Sequence, residues 1–346
     1  MAPRALIVIG TRPEAIKMAP VVDALRARAP DVETRVALTG QHTRLVDQVL
    51  EVFALEPDYD LGIMQEGQSL HDVMRLALAG LKGVLEDARP DVVLVEGDTA
   101  TVFAGALAGF FERTKVGHVE AGLRTGDRWA PFPEEMLRRL TDVVADWHFA
   151  PTKRAVEALL AEGLPPEHVH LTGNTVVDAL LAVRAQARPV RDPALARVLS
   201  EPGARVVLLT AHRRESFGRP LENVFAGVRA LADRAPDVHV VYPVHPNPNV
   251  AGPARERLAD HPRVHLTEPL DYPDLVTALE RASLVLTDSG GIQEEAPTLG
   301  TPVLVLREKT ERPEAVEAGV AERVGTDPDA LVARGLEALR RGRTPL

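Results

Sequence analysis

Short aliphatic runs alternate with longer amphipathic segments along most of the chain, and that alternation limits its possible folds more than any other feature. The runs are Ala5–Ile9, Arg35–Thr39, Val92–Val95, Val116–Glu120, Val206–Thr210, Val238–Tyr242, Val264–Leu266, Leu284–Thr287 and Val303–Leu306. They are apolar and β-branched almost throughout, as strands buried on both faces of a parallel sheet must be. The segments Leu70–Leu85, Thr99–Glu112, Thr152–Glu162 and Leu221–Ala235 predict helices between them, and Pro20 predicts a kink in the first helix. Alternating strand and helix implies an α/β fold with mostly parallel sheets and right-handed crossovers. Between Asn174 and Gly203 there is no clear strand, only a helix over Val176–Ala187 and a connection containing Pro and Arg. The domain boundary is therefore expected near residues 165–200. It gives two Rossmann-like domains, residues 1–170 and 171–346, facing a cleft, and 346 residues suit about two domains.

Composition narrows the function classes. Hydrophobic residues at 45% and charged residues at 26% are the balance of a soluble globular protein. No cysteine is present, which excludes disulfides, thiolate metal sites and cysteine nucleophiles and is compatible with a reducing, cytoplasmic setting. Ala5–Ile9 is far too short to span a bilayer and no other apolar stretch approaches 18 residues, so a soluble, untargeted protein without a membrane partner is expected. The net charge of −10 argues against a nucleic-acid partner. An anionic small substrate would need local basic contacts.

Such contacts occur where strands end, the edge at which α/β sheets bind ligands. Gly10-Thr11-Arg12-Pro13-Glu14-Ala15-Ile16-Lys17 follows the first strand, with Pro13 suited to a first helical turn and Arg12 and Lys17 at the helix start. An anion site and a plain turn with two solvated cations are equally good readings of it. In Glu96-Gly97-Asp98-Thr99, helix capping by Asp98 competes with a catalytic role. Glu120, in His118-Val119-Glu120-Ala121-Gly122, ends an apolar strand, where a carboxylate is costly unless paired or used. Glu134 and Arg138 have the i,i+4 spacing of a surface ion pair. His212-Arg213-Arg214 closes a buried strand with potential cations in a row, which favours phosphate or pyrophosphate. Ser289-Gly290-Gly291 lies between a strand and a helix, where backbone N–H groups and the helix dipole favour phosphate. Glu295, one turn on, is placed to accept hydroxyl hydrogens. Arg312 is a further cation after a strand. No His/carboxylate ligand cluster is evident, so no metal is expected.

The strings GTRPEAIKMAP, TGQH, HVEAGLRTGD, PFPEE, LTGNTVVDAL, HRRESFG, VYPVHPNPNV, LTDSGGIQEEAP and TERPEAV, within matches that run in order from Gly10 to about Asp327, resemble the non-hydrolysing UDP-N-acetylglucosamine 2-epimerases. The resemblance implies a GT-B-like pair of domains, a homodimer, a UDP-sugar substrate, and neither metal nor nicotinamide cofactor. It places Arg12 and Lys17 toward the sugar nucleotide, the diphosphate on Ser289, Gly290 and Gly291, and the ribose on Glu295. Arg312 and His212 approach the nucleotide, and the segment Glu268–Leu275, with Leu270 and Leu275, reads the uracil. Asp98, Glu120 and Glu134, supported by Arg138, become the carboxylates at the sugar, and His212 joins the catalytic set. Gln41, His42, Arg213 and His245 match a region linked to allosteric activation by a second UDP-GlcNAc.

Some positions depart from the family pattern. Glu96 stands where His is common, which is expected to put a second acid near Asp98 and raise its pKa. Leu137 replaces Asn, and Gly67 replaces an Arg tied to activation. Family members continue through an Asn-Pro-Tyr-Gly-Asp-Gly segment to a last helix, so a shortened C-terminal helix is expected at Leu346. The implied reaction is reversible C2 epimerisation, by anti elimination of UDP to 2-acetamidoglucal and re-addition of UDP. An epimerase of a modified UDP-sugar, a GT-B glycosyltransferase and a nucleotide-sugar sensor share the nucleotide site.

Overall fold

The computed structural model describes residues 2–40, 43–65, 67–308, 310, 312 and 314–343. The chain packs as two compact units, Met1–Ala179 and Leu180–Leu346. Both are α/β units built on parallel sheets.

Unit 1 runs β1 (Arg4–Ile9), α1 (Arg12–Arg26), β2 (Glu33–Leu38), α2 (Thr43–Val52), β3 (Tyr59–Asp60), α3 (Leu70–Ala88), β4 (Val92–Glu96), α4 (Ala100–Phe111), β5 (Lys115–Val119), α5 (Glu134–Val144), β6 (Trp147–Ala150), α6 (Lys153–Ala161) and β7 (Val169–Leu171), and enters α7 (Thr175–Ala185). Its strands pair in parallel in the order β3-β2-β1-β4-β5-β6-β7. Leu6, Val8, Val93, Val95 and Val116 of the central strands pack on Leu81 and Leu85 of α3 and Val102 and Ala106 of α4. Ser69 caps α3 in a reciprocal capping box with Asp72. Helix α1 continues on both sides of Pro20 as one element.

Unit 2 continues with α8 (Pro193–Ser200), β8 (Arg205–Thr210), α9 (Arg219–Arg234), β9 (Val238–Pro243), α10 (Pro248–Leu258), β10 (Val264–Thr267), α11 (Tyr272–Arg281), β11 (Ala282–Thr287), α12 (Ile292–Thr298), β12 (Val303–Val305), α13 (Glu314–Glu317), β13 (Ala321–Arg323) and α14 (Pro328–Arg341). The order is β10-β9-β8-β11-β12-β13, again all parallel. Helix α14 packs on α9, where Gly227 and Gly335 leave room for Pro328 and Leu231.

Each expected strand is present, with ends moved by a residue or two. Strands β3, β6, β7 and β13, of two to four residues each, lie outside the sequence reading. In each sheet the chain reverses its winding beside the first strand, between β1 and β4 in unit 1 and between β8 and β11 in unit 2. Those are the switch points at whose carboxyl ends such sheets bind ligands.

Candidate active site

At the unit 1 switch point Gly10 has no room for a side chain, since a Cβ there would collide with Thr101. Its N–H donates to Glu14 Oε2 at 2.6 Å, and the hydroxyls of Thr11 and Thr99 donate to Glu14 Oε1 at 2.8 and 2.7 Å. Burial pushes the Glu14 carboxyl up, against the pull of those donors. Glu14 thus ties the β1–α1 turn to the start of α4.

Lys17, one turn further, is buried rather than solvated. Its ammonium donates at 2.8 Å to Glu96 Oε1, Glu120 Oε1 and Glu120 Oε2. Asn174 Nδ2 donates to Glu120 Oε2 at 2.6 Å. Glu96 and Glu120 are both buried, and both carboxylates meet the Lys17 ammonium. Burial pushes the Glu96 carboxyl well above its ordinary value. Lys17 opposes that shift, and Glu120 and Glu14 add to it. Glu96 thus shares the Lys17 ammonium with Glu120. Glu120 has φ +63, a left-handed conformation uncommon for a residue with a side chain. Such strain is found where surrounding contacts over-determine the backbone, frequently at functional sites.

Two structural readings of the sequence are corrected here. The cap of α4 is Thr99, whose hydroxyl accepts from the Val102 N–H, so Asp98 does not cap it. Asp98 Oδ2 instead meets Arg138 Nη2 at 2.5 Å. Arg138 is not on the surface. It is 3% exposed, with Nη1 3.5 Å from Glu135 Oε2, while Glu134, the expected i,i+4 partner, is half-buried at the start of α5. The neighbouring Glu135 is fully buried and accepts the N–H groups of Thr125 and Gly126. Leu137 packs against the cluster of Ile63, Val73, Ala77, Ala100 and Ala104, an apolar role for the position that departs from the family pattern. Arg12 is half-buried at the first position of α1.

In unit 2 the buried carboxylate of Asp288, just after β11, accepts the N–H groups of His212 and Arg213 on one oxygen at 2.7 and 2.8 Å. The other oxygen lies 3.5 Å from His212 Nδ1. His212 stacks on the exposed His245 at 5.4 Å between ring centres. Tyr242 donates to the Ala211 carbonyl at 2.6 Å. Burial, with the nearby Asp288, holds its phenol above the ordinary range. The Ser289 N–H donates to Thr287 Oγ1, and Gly290 and Gly291 accept from Gln293 and Glu295 as α12 begins. Glu295 accepts from Tyr272 Oη at 2.8 Å. Arg312 Nε donates to Glu294 Oε1 at 2.6 Å, and both side chains are largely buried. Leu270 is buried before α11, and Leu275 is half-buried within it. Gln41, His42, Glu311 and Pro313 lie outside the described residues.

The structure therefore gathers Lys17, Glu96, Asp98, Glu120 and Arg138 at one sheet edge, and His212, Arg213, Ser289, Gly290 and Gly291 at the other. Nothing along the chain singles out Glu14, Asn174, Glu135 or Asp288, although all four fall inside quoted motifs. Each is recognisable only by its partners. Among the described residues no group of three or more His, Cys, Asp or Glu side chains is placed to hold a metal ion, and no helix is long and apolar enough to cross a membrane.

A family model described as UDP-N-acetylglucosamine 2-epimerase matches residues 23–344. The UDP-N-acetylglucosamine 2-epimerase of Salmonella typhimurium is 49% identical over 342 residues, covering 97% of this chain and 90% of that protein. The crystal structure of UDP-GlcNAc 2-epimerase from Neisseria meningitidis bound to UDP-GlcNAc superposes with a TM-score of 0.91 at 44% identity, over 96% of this chain and 91% of that one. The S. aureus MnaA–UDP co-structure gives 0.90 at 44% identity, over 97% and 87%.

Proposed function

Because the chain belongs to the UDP-N-acetylglucosamine 2-epimerase family, we propose that it interconverts UDP-GlcNAc and UDP-ManNAc by eliminating and re-adding UDP. The observation that carries the reading is the gathering of Asp98, Glu120 and their cations at the carboxyl edge of the unit 1 sheet, beside half-buried Glu134.

The C2 proton of UDP-GlcNAc has no adjacent ring carbonyl to acidify it. Departure of UDP from C1 supplies oxocarbenium character instead, and a carboxylate then takes the C2 proton. The products of this half-reaction are 2-acetamidoglucal and UDP. A second carboxyl group delivers a proton to the opposite face of C2, and the UDP oxygen re-bonds to C1. The chemistry needs proton carriers on two faces and cations for the leaving diphosphate. Asp98, Glu120 and Glu134 are the proton carriers in this reading, and Arg138 and Lys17 fix the charge and direction of Asp98 and Glu120. His212 and Arg312 oppose the charge of UDP, the turn Ser289–Gly291 receives the diphosphate, and Glu295 the ribose. Leu270 and Leu275 flank the uracil, and Arg12 faces the sugar nucleotide. Arg213 and His245 belong to a second, regulatory contact with nucleotide sugar.

The homodimer belongs to the same proposal. Leu140 and Val143 of α5, with Arg128, Met136 and Arg139, line an open apolar depression, and Trp129 stacks on Phe132 at 5.5 Å. Val143 is 77% and Trp129 65% exposed, an apolar face of the kind that marks association.

A proton NMR time course with UDP-GlcNAc in heavy water tests the function. Loss of the C2–H signal together with new UDP-ManNAc resonances is expected. UDP-GlcNAc that stays protonated at C2 and unchanged in configuration sinks the reading.

A further inference from the structure

His118 is fully buried two residues before Glu120, and the mechanism above gives it no task. Its Nδ1 lies 2.6 Å from Asp142 Oδ1 and its Nε2 2.8 Å from the Gly97 carbonyl oxygen. Asp142 is buried on α5, one turn beyond Arg138 and two beyond Glu134. Its second oxygen accepts from Arg124 Nη2 at 2.7 Å, and Arg124 also pairs with Glu162 at the end of α6.

We propose that His118, held by Asp142, is a positioning residue that sets the relative placement of Asp98, Glu120 and Glu134. The proposal rests on the roles given to those carboxylates above.

One imidazole joins three segments, each carrying one of them. Through its own backbone it belongs to the end of β5, which delivers Glu120. Through Nδ1 it is bound to α5, which begins at Glu134 and carries Arg138. Through Nε2 it holds the carbonyl of the Gly97–Asp98 peptide. The Gly97 N–H is bound from the other side, to the Val119 carbonyl at 3.1 Å. The turn is thus pinned at both ends of Gly97, whose φ of +88 leaves it otherwise free to pivot. Rotation of the Gly97–Asp98 peptide would swing Asp98 away from Arg138. A carbonyl oxygen can only accept, so Nε2 donates to Gly97. Burial pushes the Asp142 carboxyl up, but His118 and Arg124 outweigh it and hold it below its ordinary value, so Nδ1 faces a carboxylate oxygen 2.6 Å away. A shorter or single-ended side chain at 118 cannot hold both partners. The competing explanation is a satisfied core histidine that adds only stability.

His118→Gln and Asp142→Asn in the full chain separate the two. Calorimetry with UDP should give a Kd within about twofold of wild type, because the groups assigned to the diphosphate, ribose and uracil lie in unit 2. Turnover and C2 exchange in heavy water should fall roughly tenfold to a hundredfold below each variant's melting transition, the order that a 1 Å misplacement costs. Asp142→Asn should fall less, since its amide oxygen still accepts from Nδ1. Normal turnover by folded variants overturns the proposal, as does loss of UDP affinity in step with turnover. If His118→Gln does not fold, Asp142→Asn decides by the same two readings. Wild type that never exchanges C2–H removes the functional reading and this proposal together, an outcome distinct from variant turnover that stays normal.

Discussion

The ammonium nitrogen of Lys17 sits 2.8 Å from both carboxylate oxygens of Glu120, although 103 residues separate them in the chain. Removing the cation leaves Glu96 and Glu120 buried without it. Lys17→Met should therefore destabilise the protein by about 3–5 kcal/mol, the cost of breaking a buried pair from one side. Adding Glu96→Gln should recover part of that loss, because it removes one of the two buried carboxyl groups that Lys17 holds. Thermal melts of both single variants and the double variant check this, and strictly additive effects contradict a shared cluster.

Asp98 bonds buried Arg138 and does not cap α4, so Asp98→Asn should lower the melting temperature, while Arg138 keeps Glu135 3.5 Å away and the protein stays folded. Turnover should drop by roughly 10²–10⁴, the usual contribution of a proton carrier. Elimination then outlasts the return step, and UDP with 2-acetamidoglucal should leak into solution. Chromatography of the reaction mixture reads this directly. Near-normal epimerisation by Asp98→Asn refutes its catalytic assignment.

The Glu96 carboxyl is held well above its ordinary value of 4.5 by burial, against the opposing field of Lys17. A carboxyl raised in the folded state binds its proton more tightly there than in the unfolded chain. Its contribution is fully present below 4.5 and is lost as pH rises through the higher folded value. As pH rises above 4.5 the wild type should therefore lose stability relative to Glu96→Gln. Denaturant midpoints of the two proteins across that range measure the trend, and parallel curves would show that Glu96 does not titrate abnormally.

Arg312 is 7% exposed and bound to Glu294 at 2.6 Å, so its head is already oriented before an anion arrives. Arg312→Ala should weaken UDP binding by about 1.5–3 kcal/mol, roughly ten- to a hundredfold in Kd. Arg312→Lys keeps the charge but loses the planar fork and should recover only part of it. Titration calorimetry giving wild-type affinity for both variants would take Arg312 out of the nucleotide site.

On the α5 face Val143 and Leu140 are large apolar side chains open to solvent. Val143→Arg should convert a dimer to monomer without lowering the melting temperature of the isolated chain. Sedimentation velocity at several concentrations decides it, and an unchanged dimer would move the interface elsewhere.

Legibility in the sequence differed by kind of feature. Strands such as Leu6–Ile9 and Val206–Leu209 announced themselves because both faces are buried and every residue had to be apolar. The turn residues Gly10, Gly97 and Ser289 were recognisable at the ends of those runs. The partners were not. Asp98 fitted a cap equally well until Thr99 was seen in that position, and Arg138 fitted a surface pair until α5 was seen to bury it against the β4–α4 turn. Asp142 carried no signal, since an acid in an amphipathic helix is ordinary until His118 and Arg124 are found beside it.

By itself the sequence determined the α/β class, the order of the main strands and the family. Those depend on hydrophobic period and on motifs read along the chain, both local properties. Only the tertiary structure decided which charges are buried together. Burial and distance set whether Lys17, Glu96 and Glu120 act as one group, and the 2.8 Å contacts among them arise from sheet order, which sets β4 beside β1 and β5 beside β4 regardless of separation in sequence. The left-handed backbone of Glu120 belongs to the same class, since a strained φ is imposed by surrounding contacts and leaves no mark in the residue that adopts it.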